Sequence, residues 1–87
     1  MSSVSYSLGI PTDYYPVTPN DSTDNVKANS SDELIGFYIQ GAGDIVVTTK
    51  GGDRTISVPD NYTLIVGNAA RVKSTGTTAT GIFALIV

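Results

Sequence analysis

The pattern of apolar and polar positions divides the chain near Leu34. Before it, Ser, Thr, Asn, Asp and Pro dominate, apolar residues stand singly or in pairs, and neither the strand nor the helix period is sustained. Pro11, Pro16 and Pro19 lack an amide donor and hold the residue before them extended. The run from Asn20 to Asn25 is rich in turn and cap residues, and Ser30-Ser31-Asp32-Glu33 supports at most one helical turn. This half reads as an extended polar arm over residues 1–33, with a β domain over 34–87.

After Leu34 the texture is that of strands. Over 34–40, Ile35, Phe37 and Ile39 fall on one face, Leu34 and Tyr38 on the other. Residues 44–49 are β-branched at nearly every position, which favours a pleated strand over a helix. Lys50-Gly51-Gly52-Asp53 is a hairpin signal, because its glycines accept positive φ. Strands follow over 54–58 (Ile56 and Val58 on one face, Thr55 and Ser57 on the other), 62–66, 70–74 and 81–87. About six short strands at this spacing predict an all-β fold, a small antiparallel β-sandwich or barrel of jelly-roll-like form.

The last strand is apolar on both faces, from Ile82 through Val87. In an open sheet one face is normally polar. Either the strand is a central core strand of one small sandwich, or its second apolar face is covered by the preceding arm or by another copy of the chain.

Composition narrows the functions. With 87 residues the chain makes one domain, and a domain this small buries about 60–65% of the surface its unfolded form exposes. Small folds are commonly supported by disulfides, a metal or oligomerisation. The sequence has no Cys and no His, which removes disulfides and the usual zinc ligands and leaves self-association as the expected support. A net charge of −3 with scattered basic residues argues against nucleic acid as a partner. Arg71 and Lys73 are expected as two solvent-facing charges. No apolar run is long enough for a membrane helix, and the start has no signal-peptide pattern, so a protein made without export is expected.

No catalytic set emerges, and the expectation is a protein that is not an enzyme and carries no cofactor. Nucleophile–His arrangements are impossible here. The carboxylate pairs Asp21 with Asp24 and Asp32 with Glu33 lie in a polar segment where burial cannot tune them. The run from Asn20 to Asn25 offers oxygen ligands for a weak calcium site but lacks the glycine and terminal Glu of the helix-loop-helix motif; an Asx-type turn is the preferred reading. Gly41-Ala42-Gly43 and Gly51-Gly52 are turn glycines, since no helix follows to hold a phosphate. Asn20, Asn29 and Asn61 match the glycosylation pattern but read as chance in a Ser/Thr-rich chain. Tyr38 and Tyr62 are candidates for a ligand groove.

Three segments carry a family resemblance. Pro16-Val17-Thr18-Pro19-Asn20-Asp21-Ser22-Thr23-Asp24, Gly41-Ala42-Gly43-Asp44-Ile45-Val46-Val47-Thr48-Thr49 and the close from Arg71 to Leu85 resemble, in order and spacing, the head spike base proteins of tailed bacteriophages and gene transfer agents. The resemblance runs from about Pro16 to Val87. Leu64-Ile65-Val66-Gly67 departs from the Leu-Pro usual in the family, and Leu85-Ile86-Val87 from its aromatic ending.

The resemblance implies a bacteriophage virion structural protein, a head spike base or capsid decoration protein on the capsid surface, assembled in the host cytoplasm. Its partners would be itself (as trimer or pentamer), the major capsid protein and a spike or fibre protein, without nucleic acid or membrane. On that reading Tyr6, Tyr14 and Tyr15 are aromatic anchors of the arm, and Phe83, Leu85 and Val87 mark where subunits meet. The alternatives are a small carbohydrate-binding β-module using Tyr38 or Tyr62, and a tail or baseplate component.

Overall fold

The structure, a computed structural model, describes residues 10–87. Seven strands follow one another: β1 (Asp13–Pro16), β2 (Leu34–Gly41), β3 (Gly43–Thr49), β4 (Gly52–Val58), β5 (Thr63–Val66), β6 (Arg71–Lys73) and β7 (Thr80–Ile86). They form a four-stranded sheet in the order β1-β7-β2-β5 and a three-stranded sheet in the order β4-β3-β6. Every pairing is antiparallel. The all-β sandwich expected from the alternation is the observed fold.

The core lies between the sheets. Phe37 and Ile39 of β2, Ile45 and Val47 of β3, Val58, Val72, and Ile82, Ala84 and Ile86 of β7 are all buried there. Thr49 pairs with Gly52, so Lys50-Gly51 is a two-residue hairpin loop, and Gly52 takes φ +112°. Strand β2 departs from strict alternation. A register shift between Leu34 and Gly36 turns Leu34 inward, where the sequence pattern placed it opposite Phe37.

The segment before residue 34 is not a free arm over the described residues. Asp13 to Pro16 pair with Ile86 to Phe83, which makes β1 an edge strand, the position where Pro16 costs least for its missing amide. Val17 and Val26 then enter the common core. Between them the chain passes along the outer edge of β6, where its side chains serve that strand's backbone. One more strand between β1 and β2, beside β6, would complete the two sheets of a jelly roll. A polar strap over residues 17–33 takes that place.

Candidate functional site

The two outer faces of the sandwich differ in chemistry. Along β1, β7, β2 and β5 alternate residues point away from the core, and register sets them in rows. One row runs Tyr14, Leu85, Gly36, Val66; the next runs Pro16, Phe83, Tyr38, Leu64. None of these carries a charge. Tyr14, Leu64 and Val66 are 64%, 60% and 58% exposed, unusual for large apolar side chains grouped on one surface.

Gly36 leaves a dip in the first row, because a Cβ there would run into the Ile65 carbonyl oxygen of the neighbouring strand. The same face carries a shallow depression of about 560 Å³ between Pro11 and Gln40, lined by Tyr14, Tyr38, Leu64, Phe83 and Leu85. Tyr62 extends it. Its ring stacks on Tyr38 with centroids 6.5 Å apart and planes at 27°. Its backbone sits at φ 61°, a left-handed conformation rare for a bulky residue.

On the three-stranded sheet the outward positions include Asp44, Thr48, Asp53, Thr55, Ser57, Arg71 and Lys73. They are tied across strands: Lys73 Nζ lies 3.0 Å from Asp53 Oδ2, and the Thr48 hydroxyl donates to Asp53 Oδ1 at 2.8 Å. These bonds, the Thr48 hydroxyl first and Lys73 next, lower the Asp53 pKa. Arg71 pairs with Asp24, its Nη2 2.9 Å from Oδ1. Arg71 and Lys73 are therefore ion-paired and half-buried, where the sequence reading had two solvated charges. One outer face thus carries charged and hydroxyl groups, with Thr48, Asp53, Arg71 and Lys73 paired, and the other is left apolar.

The expected interface residues fall out as follows. Tyr14, Phe83 and Leu85 come together on the apolar face. Tyr15 does not join them: adjacent strand residues point to opposite sides, and it packs against the core. Val87 is 45% exposed past the end of β7, with its amide on the Glu33 carbonyl, and does not line the depression. Tyr6 lies outside the described residues. Leu64 and Val66 were not anticipated, since Thr63-Leu64-Ile65-Val66 offers apolar residues on both faces and gives no means of choosing between them.

Two of the segments singled out in the sequence, Pro16 to Asp24 and the close from Arg71, meet at the strap. Asn20 caps its own turn, its Oδ1 accepting the Ser22 and Thr23 amides, each at 2.9 Å. The Asn20 amide donates to the Val72 carbonyl at 2.9 Å. Asn25 reads the same residue twice, accepting the Val72 amide on Oδ1 and donating to the Val72 carbonyl from Nδ2, both at 2.9 Å.

Asp21 reaches the turn after β6, where its carboxylate accepts the Thr75 hydroxyl and the amides of Thr75 and Ser74. That set, the Thr75 hydroxyl foremost, lowers the Asp21 pKa from 3.8 to about 2. The Asx-type turn expected of this run is made by Asn20, while Asp21 holds the distant turn after β6 with both of its oxygens. Among the described residues no group of three or more carboxylates converges on a common point.

Comparison with family models, curated proteins and solved structures finds no significant match for this chain.

Proposed function

We propose that the chain is an assembly protein without enzymatic activity: a structural component of a bacteriophage particle, serving as a head spike base or capsid decoration protein. It binds further copies of itself through the outer face of the four-stranded sheet, and in the particle it contacts the capsid shell and the spike or fibre. The observation that carries this reading is the contrast between the two outer faces. Burying Tyr14, Leu64 and Val66, which stand in water in the single chain, favours association by about 25 cal/mol for each Å² of apolar surface covered. The family resemblance supplies the setting, the virus particle.

Light scattering after size exclusion tests the association. At micromolar concentration the chain runs as a defined oligomer, and Leu64→Glu, a change on an exposed side chain, shifts it to monomer. A monomeric wild-type chain overturns the reading. Immunogold electron microscopy of native phage particles tests the address, and labelling confined to tails rather than heads favours the tail or baseplate alternative.

A carbohydrate-binding module is the second reading, supported by the stacked Tyr38–Tyr62 pair beside the Gln40 amide at the end of the depression. Specific glycan binding abolished by Tyr62→Ala in a monomeric chain selects it.

A further inference from the structure

The N-terminal third was read as lacking any period, yet its first ten residues have one. Val4, Tyr6, Leu8 and Ile10 alternate with Ser5, Ser7 and Gly9, the pattern of an extended segment apolar on one side only. We propose that this stripe of one copy seats on the outer face of the four-stranded sheet of a second copy. The inference rests on the reading of that face as an assembly surface and names what covers it.

Three observations select this occupant. The first is size. The axes of β1 and β5 are about 14 Å apart, and the extended stripe from Val4 to Ile10 is about 20 Å long, enough to cross all the strands. A face-to-face pairing of two such sheets covers on the order of 400 Å² a side, about half the usual area of a stable interface. In a head-to-tail ring each copy makes two contacts of this kind, one through its face and one through its stripe, whereas a face-to-face dimer makes only one.

Charge is the second. Residues 1–12 contain no Asp, Glu, Lys or Arg, and the depression they would meet is lined by apolar side chains, two tyrosines and Gln40. Third is the point of departure. Pro11 lies at the rim of the depression, but Ile10 is 85% exposed, so the last member of the stripe is not seated on its own sheet. A residue before proline is also held extended, which opposes the reversal needed for the chain to fold back over its own face.

Donor and acceptor are then different surfaces of the same molecule. Such a contact is head-to-tail, and it closes into a ring when the rotation between neighbours permits.

Mixing two full-length variants and measuring mass by light scattering tests this. Val4→Ser/Tyr6→Ser/Leu8→Ser removes the stripe and keeps the face; Leu64→Glu spoils the face and keeps the stripe. Each alone is expected as a monomer with the urea midpoint that the wild-type chain shows when diluted to monomer, and an equimolar mixture as a dimer, because only one arm-to-face contact can form. Val66→Lys replaces Leu64→Glu should the latter lower the urea midpoint. An oligomeric stripe variant alongside a monomeric face variant overturns the inference while the assembly reading stands. A mixture that stays monomeric beside an oligomeric wild-type chain also overturns it. A monomeric wild-type chain sinks both.

Discussion

Replacing Asn25 with alanine probes whether the strap does the work of a missing strand. The Asn25 side chain makes three bonds: it accepts the Val72 amide at 2.9 Å, and donates to the Val72 carbonyl at 2.9 Å and the Thr18 carbonyl at 2.8 Å. After the substitution the Val72 carbonyl keeps the Asn20 amide, but the Val72 amide has no partner, and Val72 is 0% exposed. An orphaned buried donor costs about 1–3 kcal/mol, and each lost hydrogen bond about 1 kcal/mol net. A destabilisation of about 2–4 kcal/mol follows, the lower figure applying if water reaches the vacated place.

Against a total stability of about 4–13 kcal/mol for a chain of this length, that is a large fraction, equivalent to about 10–25 °C in Tm. Urea unfolding measures it, and amide exchange at Val72 locates it. Thr23→Ala, on an exposed residue of the same strap, should stay within about 0.5 kcal/mol. An Asn25→Ala midpoint within that margin, with wild-type exchange at Val72, refutes the strap's role.

Four further outcomes are expected. Asp21 and Asp53 both titrate below their usual 3.8 in the folded chain. The stabilisation from Asp21 is therefore complete above about pH 5 and is lost as pH falls through about 2, and that from Asp53 is lost in the same direction; Tm against pH should show this, with a shallower acid slope in Asp21→Asn. Gly36→Ala forces β2 away from the Ile65 carbonyl and should cost about 1–3 kcal/mol by urea unfolding. Measured on the monomer, Tyr15→Ser, on the core side, should destabilise by about 2–3 kcal/mol, whereas Tyr14→Ser should leave stability within about 0.5 kcal/mol while weakening self-association. Leu64→Glu should behave as Tyr14→Ser does, with a greater loss of association because it places a charge in the depression.

Six of the seven strands were legible because each carries its own local signal, β-branched runs between turn residues. Strand β1 was not. Asp13-Tyr14-Tyr15-Pro16 is short, ends in proline and has no alternation; it is extended because β7 lies beside it, seventy residues later in the chain. The doubly apolar character of β7 was visible, and so was its need for cover on the second face. Which of two neighbouring tyrosines supplies part of that cover depends on register, which local sequence does not encode. The strap was read as turns for a similar reason. The Asn20 cap is local, but the bonds by which Asp21 and Asn25 tie the strap to β6 and its turn reach 47 to 54 positions along the chain, and nothing near those residues announces them.

The distances along the chain bear on the order in which the fold can form. Strand β1 waits for β7, and the strap waits for β6 and the turn behind it. During synthesis β1 is made before β7 and has no partner strand until β7 follows it. The β3–β4 hairpin needs only near neighbours, so it can form while the sandwich is still open along one side. Closure then pays the entropy of a large loop in a late step, which slows folding relative to a chain of local contacts. Until that step the apolar interior is accessible from the edge that the strap will cover, and competition between closure and misassembly with other chains is decided there.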